Sequence, residues 1–199
     1  MRSRSSLFAL VAIPFVVLLD SAVTSAQPVP TTGPRVAVSF PADLSKDALD
    51  GRLLLLVSTR DEGEPRFHVS DSPNTQLVFG VDVEGMKPGQ EVILDRHVLG
   101  YPLDSLADVP KGSYTVQALL HRYETFRRAD GHTVKLPMDR GEGQQWNRAP
   151  GNLYSTPAKL AFDPQAETPL RIVLDKAVPP IPDPPETKYI KHVRIQSER

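Results

Sequence analysis

Apolar and polar residues alternate at several places along the chain, as in strands that turn one face towards a core. The clearest alternation is QLVFGVDVE, which begins at Gln76. A longer strand is predicted after the turn at Pro110 to Gly112, in the run KGSYTVQALLHRYE. The residues predicted to face the core are Leu77, Phe79, Val81 and Val83 in the first strand and Tyr114, Val116, Ala118 and Leu120 in the second. Phe79 lies at the centre of its strand, so we expect it to be fully buried.

Five further strands are predicted from shorter patterns: RVAVSF, GRLLLLVS, EVILD, PAKLAF and PLRIVLD. The run GRLLLLVS is apolar without interruption, which is typical of a strand near the centre of a sheet or covered on both faces. Only ADLSKDALD carries a weak helical pattern. Many short strands separated by turn residues, with little helix, favour an antiparallel β-sandwich.

The start of the long strand adds a resemblance. Its Pro-x-Gly-x-Tyr-x-Val form, PKGSYTV, resembles a strand start that is common in immunoglobulin-like and transthyretin-like sandwiches. We therefore expect a mainly-β domain of one of these two types over residues 35–177. The 20 prolines among 199 residues agree with a fold that is rich in loops, because proline interrupts helices.

The first 26 residues have the three parts of a secretory signal peptide. Arg2 and Arg4 precede an apolar run, and the small residues Thr24 and Ala26 are placed for cleavage after position 26. The apolar run contains a proline and is too short to span a bilayer. We expect a secreted or periplasmic protein, not held in the membrane after cleavage, whose mature chain begins with an extended leader at residues 27–34.

Charge and cysteine content exclude several classes of function. The 23 basic and 24 acidic residues nearly balance, so the chain lacks the clustered excess of Lys and Arg that nucleic acids require. There is no cysteine, which removes disulfides, thiolate metal sites and thiol nucleophiles. The fold must therefore rest on packing and hydrogen bonds.

Residues 125–156 form a long segment in which a turn is predicted at Asp130 and Gly131, followed by a Gly-, Pro- and Asn-rich run. Structureless loops of this length are uncommon in compact domains unless they are functional or ordered by their own side chains. We expect one long ordered loop here, and the candidate recognition surface is the segment from 121 to 156.

Two interpretations of this loop stay open. In the first, aromatic side chains form a platform for a sugar or a peptide, helped by arginines and an asparagine. The candidate ligand-binding residues are Tyr123, Arg128, Arg140, Trp146, Asn147, Arg148 and Tyr154, with Phe126 beside them. In the second, Trp146 plugs the end of the sandwich and the arginines pair with acidic neighbours at positions 130, 139 and 142.

The sequence contains no recognisable catalytic or cofactor motif. There is no Gly-x-Ser-x-Gly elbow and no His-Glu-x-x-His pair, and the five histidines are scattered singly. The run GEGQQW lacks the glycine spacing of a phosphate loop. The sequence therefore predicts no catalytic residue, no cofactor and no metal, and whether the chain belongs to an enzyme stays open.

The last part of the chain begins with VPPIPDPPET, a semi-rigid proline-rich linker at residues 178–187. After it, KYIKHVRIQSER has the alternation of a strand, with Val193 and Ile195 on one side. Residues 188–199 are therefore predicted to be either the start of a further element or a terminal strand that folds back onto the sandwich.

The runs LPMDRGEGQQWNRAPGNLYSTP and KYIKHVRIQSE together resemble the amino-terminal region of secreted bacterial proteins of the esterase type. In those proteins a sandwich module precedes an α/β-hydrolase domain, and the similarity extends from about position 36 to position 198. The hydrolase domain, its elbow and its triad are not in this sequence, so no catalytic residue is implied here.

The resemblance implies a non-catalytic accessory module of an exported esterase-type hydrolase, with a downstream hydrolase domain as its partner. The alternative is a stand-alone extracytoplasmic binding module for a carbohydrate or protein ligand. Nothing in the sequence identifies the ligand.

Overall fold

The computed structural model describes residues 33–72, 75–193, 195 and 196; the predicted signal peptide and most of the predicted leader lie outside these ranges. The described part contains short 3₁₀ turns at Pro65–Phe67 and Leu106–Asp108. Its strands are β1 (Val36–Ser39), β2 (Leu49–Ser58), β3 (Leu77–Met86), β4 (Val92–Leu94), β5 (Leu99–Tyr101), β6 (Gly112–Arg127), β7 (Thr133–Pro137), β8 (Leu153–Tyr154), β9 (Ala158–Phe162), β10 (Leu170–Val173) and β11 (Lys176–Ala177).

The strands form two sheets. The smaller sheet has the order β10-β1-β4, and the larger has the order β11-β8-β6-β2-β3-β5. The long strand β6 also pairs with β9 through its first residues and with β7 through its last. Pairing is antiparallel except between β1 and β10, which are parallel. The predicted mainly-β, sandwich-like architecture is confirmed, with this one parallel pair.

The core lies between the faces predicted from the alternation. Phe79 is 1 % exposed, which confirms its predicted burial, and the four core-facing residues of β6 are also buried. Tyr114 packs edge to face on Phe162 with ring centroids 6.4 Å apart, and its hydroxyl donates to the carbonyl of Pro110. In β9, Leu160 and Phe162 contact the core, whereas Ala158 is exposed. β2 lies between β3 and β6, in the interior of the larger sheet, as its apolar run predicts.

The weak helical pattern of ADLSKDALD was a wrong prediction. The chain makes a turn in which the Leu44 amide donates to the carbonyl of Pro41, and β2 has begun by Leu49. Both leucines pack against the core. Positions five apart on a helix point about 140° away from each other, since each residue advances the helix by about 100°. A helix could not bring both side chains to the core, and a turn followed by a strand does.

The predicted long loop is partly a hairpin. β6 continues to Arg127, and β7 pairs back with it from Tyr123 onwards. The predicted turn is present: the Arg128 amide donates to the carbonyl of His132, and Gly131 has a φ of 85°, which glycine adopts without strain. The irregular loop is therefore confined to residues 138–152.

The strand predicted in the tail is not formed within the described residues. From 178 to 193, and at 195 and 196, the chain has no strand pairing. Tyr189, Val193 and Ile195 are 85 %, 78 % and 88 % exposed. The described tail therefore does not fold back as a strand on the sandwich.

Among the described residues, no helix has the length and apolar character needed to cross a membrane.

The burial of Phe79 predicts a large effect on stability. Phe79→Ala should lower the free energy of unfolding by about 3–5 kcal/mol, because it leaves a cavity in the core. Urea unfolding followed by circular dichroism measures the change. The control is Leu99→Ala, which removes a side chain that is 75 % exposed and should change stability by less than about 0.5 kcal/mol. Equal denaturation midpoints for the two variants would contradict the assigned core.

Candidate functional site

A groove lies beside the last part of β6 and has a volume of about 380 Å³. Three separate parts of the chain form it: the last part of β6, both ends of the 138–152 loop, and the start of the proline-rich tail. We call it the hairpin groove. Its lining consists of Arg122, Tyr123, Glu124, Met138, Arg140, Ala149, Pro150, Gly151, Asn152, Pro180 and Ile181.

Asn152 fixes the three parts relative to one another. This residue is 1 % exposed. Its side-chain oxygen accepts from the Arg122 amide at 2.9 Å, and its side-chain nitrogen donates to the carbonyl of Trp146 at 2.7 Å. Its own carbonyl accepts from the Val178 amide at 2.8 Å, and the Gly151 amide donates to the carbonyl of Val178 at 2.9 Å. One buried residue thus connects β6, the loop and the tail.

Arginines give the groove its charge. Arg140 pairs with the carboxylate of Glu124, and its backbone amide donates to the side chain of Glu142. The Nη1 of Arg122 donates to the carbonyl of Gly151 at 3.3 Å, and no carboxylate in the described part of the chain forms an ion pair with it. The lining contains two arginines and one glutamate, so it carries one net positive charge.

The environment of Arg122 disfavours its charge. Partial burial lowers the pKa of its guanidinium, and the positive charge of Arg140 lowers it further. The guanidinium stays charged, because arginine begins from a very high pKa. An anion in the groove would relieve the repulsion between the two arginines.

The remaining walls of the groove are largely apolar. Met138 and Ile181 are 41 % and 48 % exposed, and Pro150 and Pro180 lie beside them. The free energy falls when a ligand covers such partly exposed apolar side chains and removes them from water. Apolar walls with a few polar groups are the usual composition of ligand sites.

A second cluster, on Arg66, collects three of the other predicted residues. The guanidinium carbon of Arg66 lies 3.9 Å from the ring centroid of Tyr154 and 4.6 Å from that of Phe67. Arg66 donates to the carbonyl of Asn147, and the Asn147 side chain donates back to the carbonyl of Arg66. The guanidinium carbon of Arg148 also lies over the Phe67 ring, 5.3 Å from its centroid.

This Arg66 cluster is internally satisfied. Gln117 is fully buried; its oxygen accepts from the Arg66 amide, and its nitrogen donates to Glu64 and to the carbonyl of Ser155. Burial works to raise the pKa of Glu64, but the hydrogen bonds from Gln117 and Arg66 outweigh it and leave the pKa below its ordinary value. Buried polar groups that all have partners stabilise the structure. The cluster joins the 59–76 connection to the 138–152 loop.

The structure does not gather the seven predicted ligand residues into one site. Tyr123 and Arg140 line the hairpin groove, whereas Asn147, Arg148 and Tyr154 belong to the Arg66 cluster. Arg128 pairs with Asp130 at the hairpin turn, 3.0 Å away, as the second interpretation of the loop predicted. Trp146 is half-buried and contributes its carbonyl to Asn152.

Sequence reasoning missed Arg122, Asn152 and Ile181. Arg122 follows a run of core residues in β6, and Ile181 is the one aliphatic residue between prolines of the tail. In a long strand, a charged residue at a position that the alternation assigns to the core indicates that the strand has passed beyond the core. This signal could have identified Arg122. Asn152 gave no such signal, since asparagine in a Gly- and Pro-rich run is typical of an exposed turn.

Comparisons with models of known families, with curated proteins and with solved structures give no match. In the described ranges, no group of three or more His, Cys, Asp or Glu is placed to hold a metal ion. The resemblance to the amino-terminal region of secreted esterases stays a prediction.

Asn152→Ala should destabilise the groove, because it leaves the Arg122 amide and the Trp146 carbonyl without their partner. We expect a loss of about 1–3 kcal/mol in the free energy of unfolding, together with faster protease cleavage between residues 138 and 150. Gln145→Ala, an exposed position in the same loop, is the control. An unchanged midpoint and cleavage pattern for the Asn152 variant would show that this residue does not hold the loop.

Proposed function

We propose that this chain is a non-catalytic binding module that acts outside the cytoplasm and takes its ligand in the hairpin groove. One observation carries the proposal: three separate segments meet around a groove that contains a guanidinium without a carboxylate partner and apolar side chains open to water. The extracytoplasmic location rests on the signal-peptide pattern of residues 1–26.

The size and order of the groove support ligand binding. Its volume of about 380 Å³ lies within the range of small-molecule sites, which is about 300–1,000 Å³. The hydrogen bonds of Asn152 hold the segments around the groove together within the protein itself. A preformed site binds more tightly than one that must first become ordered.

The proposal assigns no chemistry to the chain. Within the described ranges, Ser58 is a serine in contact with a histidine: its Oγ lies 3.5 Å from the Nδ1 of His68. Ser58 is 1 % exposed, and its oxygen already accepts from the Arg60 amide at 3.1 Å. A nucleophile must reach its substrate, so this pair is better explained as a structural contact.

A second candidate function is the accessory module of an exported esterase-type hydrolase. The observation that favours it is the described tail, in which Tyr189, Ile190 and Val193 are exposed after the proline-rich linker. Exposed apolar side chains in one segment mark a surface that another protein surface can cover. The coding sequence that follows Arg199 tests this candidate, because a Gly-x-Ser-x-Gly elbow there would support it.

The groove is tested with two variants that place the same charge at different sites. Ile181→Asp puts a carboxylate on the groove wall and neutralises its net charge, so the binding of the exported protein to arrays of bacterial polysaccharides and peptides should be lost. Val193→Asp, the matched control, changes an apolar residue that is 78 % exposed outside the groove and should keep binding. Binding that survives Ile181→Asp would contradict the proposed site.

The absence of catalysis is tested on the same protein. A chromogenic short-chain ester should be hydrolysed no faster than in buffer. Hydrolysis above that rate, removed by Ser58→Ala, would overturn the non-catalytic assignment.

A further inference from the structure

We propose that the ligand of the hairpin groove is the free carboxyl terminus of a peptide whose last side chain is apolar, with its carboxylate bound by Arg122. This inference rests on the proposed function and names the ligand class of the same site. It follows from the charge of the groove, the geometry of guanidinium groups, and the character of the neighbouring walls.

The first step concerns the charge that the groove can accept. Arg140 is neutralised by Glu124, whereas the hydrogen bond of Arg122 goes to the carbonyl of Gly151. A guanidinium has five N–H donors, so Arg122 keeps donors for a ligand. One net positive charge is balanced by one negative charge. The Glu124 carboxylate would also repel a doubly charged group, so the groove favours a carboxylate over a phosphate monoester.

The second step concerns shape. The planar fork of a guanidinium matches the two oxygens of a carboxylate and forms paired hydrogen bonds with it. Arg122 is an exposed residue of the groove lining, so a ligand can reach the free donors of its guanidinium. A carboxylate at Arg122 would at the same time reduce the repulsion from Arg140.

The third step concerns what is attached to the carboxylate. Met138, Pro150, Pro180 and Ile181 lie on the same groove and offer apolar surface. At a peptide terminus, the carboxylate and an apolar side chain sit on one carbon, so a single residue can satisfy Arg122 and these walls together. Methionine suits this use because its flexible side chain adapts to ligands of different shape.

Glu124 supplies the remaining polar group. Its carboxylate accepts from Arg140 and has further lone pairs, so it can also accept a backbone N–H, which a peptide has and a simple carboxylic acid lacks. A uronic-acid saccharide would instead place hydroxyl groups against the apolar walls. Tyr123 is the single aromatic residue in the lining, so the groove does not offer the aromatic platform that a sugar ring favours.

The experiment is calorimetric titration of the exported protein with three probes: acetyl-Ala-Leu as the free acid, its carboxamide, and digalacturonate. The free acid should bind at least about tenfold more tightly than the carboxamide, because the amide loses the charge-assisted hydrogen bonds to Arg122. Its affinity should fall as the salt concentration rises. Digalacturonate should bind more weakly than the free acid.

Three variants on one strand assign the effect. Arg122→Gln should weaken binding of the free acid by about tenfold or more and leave the carboxamide unchanged. Arg127→Gln, an exposed arginine further along β6 and outside the groove, is the matched control and should bind as the parent does. Glu124→Gln releases Arg140 and should tighten binding of the free acid. Thermal unfolding of each variant shows that it is folded.

Several results would overturn the inference. Equal affinity for the free acid and the carboxamide would remove the carboxylate assignment and leave the proposed function in place. Binding of digalacturonate alone, lost in Arg122→Gln, would replace the peptide by an acidic saccharide. Failure of the free acid to bind would reject the inference, and the array experiment would still decide whether the groove is a binding site.

Discussion

The proposed site depends on one buried amide. Asn152 lies where β6, the end of the long loop and the tail meet, and its hydrogen bonds satisfy backbone groups from all three. A buried backbone N–H or carbonyl without a partner is costly, so these segments are held in one arrangement. Gly151, with a φ of 85°, gives the chain the turn that directs Asn152 inwards. The groove is the space that this junction leaves beside the hairpin.

The same need of buried polar groups for partners shapes the other face of β6. Gln117 is polar and completely buried, so it must find partners, and it finds them in Glu64, Arg66 and the backbone of Ser155. Arg66 then stacks on two aromatic rings and reaches the carbonyl of Asn147. The long loop is therefore held at two points, by the Arg66 cluster near its middle and by Asn152 at its end. This order explains how an irregular segment rich in glycine and proline can form the wall of a binding site.

Much of the fold could be predicted from the sequence, because strands with one buried face show alternation that is local. Phe79 and the core face of β6 were found in this way. β5, β8 and β11 have two or three residues and no alternation that marks them in the sequence, and β7 has no buried face. The site depends on contacts between distant positions, such as Arg122 with Asn152, which are 30 residues apart. Arg122 and Asn152 belong to the site because the fold brings them together, and the composition of the sequence does not reveal that proximity.

The central claim is that the hairpin groove is a preformed ligand site. Backbone amide shifts in a two-dimensional ¹⁵N NMR titration test it most directly, with a ligand selected from the peptide and polysaccharide arrays. The account predicts shifts confined to the amides around the groove, namely those of Arg122, Gly151, Asn152 and Ile181, with the pattern of the free protein otherwise unchanged. Shifts centred on the exposed Leu99 and Tyr101 of β5, or on the tail beyond the groove, would contradict it.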